Sequence, residues 1–167
     1  MSVVPTLGAA VFGNAFISRE SLIWFKGLQR PAMQLPMAGF YALGVINYPL
    51  MGLVVHRAVV RQDRRAYRLA VVVLVCAELW NVLLFGRRST RAGFLGVVAF
   101  TEPLGFLQAA VARDRASVML LAPYTAWVVG YDIPWAYQLW RLNPPAGQQE
   151  GAPESLLRRK DRWGAMS

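Results

Sequence analysis

Three carboxylates lie within apolar runs of this chain: Glu78, Glu102 and Asp132. Amides accompany them, at Asn14, Asn47, Asn81 and Gln108. So do rings, at Tyr48, Trp80, Phe85, Phe94, Tyr124, Trp127, Tyr131 and Trp135. Polar groups are costly at hydrocarbon depth, so these side chains should face other helices or a cavity rather than lipid. Two kinds of chemistry fit the acids. They form the polar end of a ligand cavity or a proton-linked site, or they act as interhelical glue paired with the amides. The rings, if they converge, line a flat apolar slot suited to planar ligands such as tetrapyrroles. The other reading of the rings is core packing plus an interfacial belt, and Trp140 at the end of its apolar run fits the belt.

No enzyme constellation accompanies these residues. There is no Ser/His/Asp or Cys/His set, no paired metal ligands and no glycine-rich phosphate loop, so no catalytic or metal residue is assigned. The lone histidine, His56 beside Arg57, reads as interfacial. A single cysteine, Cys76, excludes an intrachain disulfide and reads as a small packed side chain. No cofactor is required by anything in the sequence.

The elements that must position these groups follow from composition. Hydrophobic residues make up 56% of the 167 residues and charged residues 16%, too few for the surface of a soluble domain this size. Charges gather in short arginine-rich stretches between long apolar ones. The pattern predicts an all-α polytopic membrane protein, a bundle of five transmembrane helices. The net charge of +9 then belongs at lipid headgroups rather than on nucleic acid, because the arginines sit between apolar segments. The N-terminus lacks a secretory cleavage pattern and is expected to stay as a membrane segment.

The expected spans are Val3–Ile17, Met37–Val55, Ala66–Phe85, Ala92–Ala112 and Val118–Trp140. Ser21 to Pro36 is an ordered first loop over one mouth of the bundle, broken by Pro31 and Pro36. Residues 1–142 form one membrane domain, and residues 143–167 a polar basic tail. Five spans put the termini on opposite sides. Arginine and lysine number 7 on the N-terminal side and 11 on the C-terminal side, a bias toward a cytoplasmic C-terminus.

Three blocks carry a resemblance. The first is Trp24-Phe25-Lys26-Gly27-Leu28-Gln29-Arg30-Pro31, continued by Tyr48-x-x-Met51-Gly52. The second is Leu79-Trp80-Asn81-x-x-x-Phe85-Gly86, and the third Pro123-Tyr124-x-Ala126-Trp127, ending at Trp140-Arg141-Leu142-Asn143. In order and spacing the chain resembles the translocator protein family (TspO/MBR, the tryptophan-rich sensory protein or peripheral benzodiazepine receptor). The resemblance implies a five-helix bundle with a ligand cavity under the first loop, taking porphyrins, sterols or drug-like molecules. It adds Trp24, Leu28 and Pro31 to the ligand-binding candidates, and implies a homodimer in a bacterial inner membrane or the mitochondrial outer membrane. The chain departs from the family at Gly44, where the tryptophan linked to porphyrin breakdown stands, and at Tyr131, where a small pocket residue stands.

Three functions remain open at this point. One is a ligand-binding membrane protein in a sensory, regulatory or transport-like role. Another is an accessory subunit of a larger membrane complex. The last is a small membrane enzyme using an intramembrane acid such as Asp132.

Overall fold

The computed structural model describes residues 17–144, with Met37, Tyr41, Gly44 and Val45 as backbone only. The expected first span, Asn14 and the tail beyond residue 144 lie outside the described residues. Every regular element described is helical.

The first loop opens with a helix, α1 (Arg19–Lys26), where the sequence reading placed a connector. Ser18 caps it by accepting the Ser21 N–H at 3.1 Å, and Glu20 complements the positive end of the helix. Ser21 and Phe25, four residues apart, turn one face inward and are buried. Gly27 ends the helix, and the chain crosses to Pro36, which starts α2 (Met37–Val60). α2 runs through Pro49 unbroken.

α3 (Arg64–Asn81) is capped by Asp63, which accepts the Ala66 N–H at 2.9 Å, and continues as a π-helical turn over Val82–Gly86. α4 (Thr90–Ala110) is capped by Ser89. α5 (Arg115–Trp127), a second π-helical turn (Val128–Asp132) and α6 (Ile133–Leu142) form one continuous helical run. This second widened turn lies just before Pro134, which has no N–H to give to the helical ladder.

Among the described residues, length and apolarity alone identify two of the five expected spans, Arg64–Gly86 and Thr90–Ala110. Ile46–Val60 is a shorter apolar stretch. The α5–α6 run is diluted by Tyr124, Tyr131, Asp132, Pro134 and Gln138.

α2 packs on α3 and α5, α3 on α4, and α4 on α6, so the long helices close a ring. Its core includes Val54, Val55, Val73, Leu84, Leu104, Leu107, Leu121 and Leu139, all nearly inaccessible. α3 and α4 approach closely because Gly93 and Gly96 leave room for Leu84 and Leu83.

Candidate functional site

At the end of the ring where α2 and α4 begin, the first loop is tied down at several points. The Asn143 side chain accepts the Gln29 N–H at 2.8 Å and donates to the Gln29 carbonyl at 2.9 Å. Thr90 Oγ1 donates to the Asn143 carbonyl at 3.0 Å. The Tyr131 hydroxyl accepts the Leu35 N–H at 2.9 Å and donates to the Met33 carbonyl at 3.0 Å. Glu20 pairs with Arg88 at 2.7 Å. Pro31 is buried, whereas Trp24 and Leu28 are half-buried against the core.

Under this cover the rings converge on Trp135, which is 1% exposed. Its ring centroid lies 5.3 Å from Phe40, 6.3 Å from Phe25 and 6.4 Å from Trp80. Phe85, in the first π-helical turn, meets Phe25 at 5.4 Å and Trp80 edge-on at 6.4 Å. Phe25 thus descends from the loop helix as a plug between Phe85 and Trp135. Trp127 stacks on Tyr131 at 4.1 Å, and Tyr131 reaches Phe40 at 6.3 Å.

The hydrogen-bonding capacity of this chamber is uneven. Trp80 Nε1 donates to the Gly93 carbonyl at 3.0 Å. Among the described residues, buried Trp135 Nε1 has no acceptor, and buried Gln34 Oε1, in the loop above, has no donor. A buried unpaired donor carries a desolvation cost of about 1–3 kcal/mol. An acceptor brought in by a guest would remove it.

Deeper in the ring lies a polar patch. Tyr48 donates to Glu78 Oε1 at 2.6 Å, and Asn81 Nδ2 donates to Glu78 Oε2 at 3.2 Å. Glu78 itself is buried. Tyr124 lies within the electrostatic reach of Tyr48, Glu78 and Asp132, and the Trp127 indole lies close to the Asp132 carboxyl. Glu78 stands eight residues before Gly86, so the patch sits about 12 Å below the loop end at helical rise.

The sequence candidates therefore divide. Trp80, Phe85, Tyr131 and Trp135 join the chamber, with Trp127 stacked at its edge. Tyr48, Asn81, Glu78, Tyr124 and Asp132 form the patch. Phe94 goes elsewhere: it stacks on Trp140 at 5.3 Å and meets Tyr137, itself half-exposed, at 5.5 Å. Glu102 stands exposed on α4, against the expectation that it faces inward, because its position on the helix turns it away from the ring. Gln108, expected to serve an acid, donates to Thr125 Oγ1 at 2.7 Å.

Phe25 and Phe40 escaped the sequence reading. The i, i+4 spacing of Phe25 from Ser21 is the signal that marks the inward face of a short helix. Phe40 carried no local signal.

No curated protein matches the chain. A family model described as the TspO/MBR family matches residues 1–140, which take in the loop, the chamber and the polar patch. With that match over most of its length, the chain belongs to the TspO/MBR family of membrane proteins.

Proposed function

We propose that this protein is a five-span membrane receptor of translocator type that binds a planar hydrophobic ligand, a porphyrin or other tetrapyrrole or a sterol-like molecule, between its helices. Its role is sensory, regulatory or transport-like, in a bacterial inner membrane or the mitochondrial outer membrane. The observation that carries this reading is the convergence of Phe25, Phe40 and Trp80 on Trp135, with Phe85 against Phe25, around a buried N–H that has no acceptor among the described residues. Ring stacking and area burial supply affinity for a flat apolar guest, and a carboxylate or carbonyl on that guest satisfies the N–H. The rings touch one another, so the guest must displace the Phe25 plug, and loop release precedes entry.

The test is titration of the purified protein with protoporphyrin IX, followed by quenching of tryptophan emission. Saturable quenching is expected, weakened about tenfold or more in Phe85→Ala, since a buried ring contributes several kcal/mol. Quenching that does not saturate, or unchanged affinity in both Phe85→Ala and Trp127→Ala, contradicts the reading.

One observation favours a second reading, an accessory subunit or homodimer. Glu102 is exposed on an apolar helix of 21 residues. A carboxyl facing hydrocarbon is costly, and protein cover removes that cost. Co-purification of a stoichiometric partner that is lost in Glu102→Lys supports this reading; a clean monomer excludes it.

A further inference from the structure

We infer that the end of the bundle remote from the first loop binds the phosphate of an anionic lipid headgroup. A cavity of about 480 Å³ opens there between the ends of the long helices. Its size falls in the range of about 300–1,000 Å³ common for small-molecule sites. The floor is apolar, with Val54, Ala58 and Val111 buried. Three arginines, Arg61, Arg65 and Arg113, line it.

The two acids at this cavity are already engaged. Asp114 accepts Arg57 Nε at 3.0 Å and Nη2 at 2.8 Å, pairs with Arg61 at 2.9 Å and accepts Ser117 Oγ at 2.6 Å. Asp63 accepts the Ala66 N–H as the cap of α3. Arg65 and Arg113 have no ion pair among the described residues, and with Arg57 and Arg61 both on Asp114 the cluster keeps a net positive charge over Asp63 and Asp114. The first turn of α5 also lines it, and no side chain caps that helix because Asp114 is spent on arginines. Its amides add positive potential to the same place.

Guanidinium forks match phosphate oxygens in geometry and charge. Free phosphate and a lipid phosphodiester share that chemistry, and the apolar residues around the arginines favour the molecule that carries acyl carbons. The headgroup layer is also where the end of a membrane-embedded bundle lies. The inference rests on membership of a membrane family and is independent of the aromatic chamber.

The experiment is native mass spectrometry of the full chain in neutral detergent with added phosphatidylglycerol, phosphatidylcholine or inorganic phosphate. Phosphatidylglycerol should bind at one saturable site and be preferred over phosphatidylcholine. Arg65→Gln/Arg113→Gln should weaken it about tenfold, the scale of a lost charge-assisted contact. The charge-matched pair Arg87→Gln/Arg91→Gln, at the opposite end, should leave it unchanged. Both substituted arginines are exposed, and circular dichroism with the single Arg113→Gln variant checks that the fold is kept. Equal affinity for the two lipids, an undiminished preference in the cavity variant, or the same loss in both charge-matched variants overturns the inference. Binding of inorganic phosphate with no lipid preference assigns the cavity to a soluble anion and overturns the lipid assignment.

Discussion

The hydroxyl of Tyr131 holds the backbone of Leu35 at 2.9 Å, across 96 residues of sequence. One phenol on a widened turn of the last helical run therefore closes the first loop. Tyr131→Phe keeps the stack on Trp127 and removes the latch. The hydroxyl's hydrogen bonds to the Leu35 N–H and the Met33 carbonyl are both lost, so we expect a loss of about 1–3 kcal/mol in stability. The Leu35 amide should exchange faster with solvent, and bound porphyrin should dissociate faster. Hydrogen exchange at Leu35 checks this directly.

A second latch is separable from the first. Asn143→Ala removes both side-chain bonds to Gln29. The Gln29 amide should then exchange faster while Leu35 stays protected. Simultaneous release of both amides would mean that the loop opens as one unit.

The close approach of α3 and α4 predicts unequal costs for two similar substitutions. A Cβ at Gly93 would stand 2.8 Å from Leu84 Cδ1 and 3.3 Å from Leu84 Cβ, and Leu84 is nearly inaccessible and cannot swing away. A Cβ at Gly96 would meet Leu83 Cδ1 at 2.7 Å, but Leu83 is only half-buried and can turn. Gly93→Ala should cost about 1–3 kcal/mol, the usual range for overpacking, and Gly96→Ala less. Gly105→Ala, with open space around it, should be neutral or slightly stabilising. Thermal unfolding in detergent ranks the three.

The parts of this architecture legible in sequence were local. Asp63 and Ser89 announce helix starts, and Asn81 lies three residues from Glu78, the spacing that lets them bond. The apolar period marks Leu84, Leu104 and Leu107 as core. The parts that were not legible depend on long-range geometry. The Arg57–Asp114 pair joins residues 57 apart, and Arg113-Asp114-Arg115 reads locally as a plain turn. The widened turns over Val82–Gly86 and Val128–Asp132 carry no mark in the sequence, so the geometry that sets Phe85 on Phe25 and Tyr131 under Leu35 shows only in the fold. Tyr131 reads by size as a pocket filler, and only its contacts with Leu35 and Met33 reveal a clasp.

The Asp114 cluster gives a pH dependence with a definite sign. Hydrogen bonds from Arg57 and Ser117, with the Arg57 and Arg61 charges, hold the Asp114 carboxyl well below its usual range, outweighing the opposing effect of its burial. A depressed folded value stabilises the protein above the unfolded value of about 3.9 and is lost as pH falls through the folded one. Wild type should therefore exceed Asp114→Asn in melting temperature by a constant margin from pH 7 to about 5. That margin should shrink below about pH 4 as the unfolded chain begins to bind the proton. A margin that shrinks near pH 6 would assign it to another group.

The central claim, a guest seated against Trp135 beneath the first loop, is tested most directly by NMR of the protein with ¹⁵N-labelled tryptophan. The Trp135 indole N–H, which has no acceptor among the described residues, should shift in proportion to bound protoporphyrin IX. Saturated porphyrin binding with the Trp135 resonance unmoved, and the shift appearing instead at another tryptophan, would contradict the account.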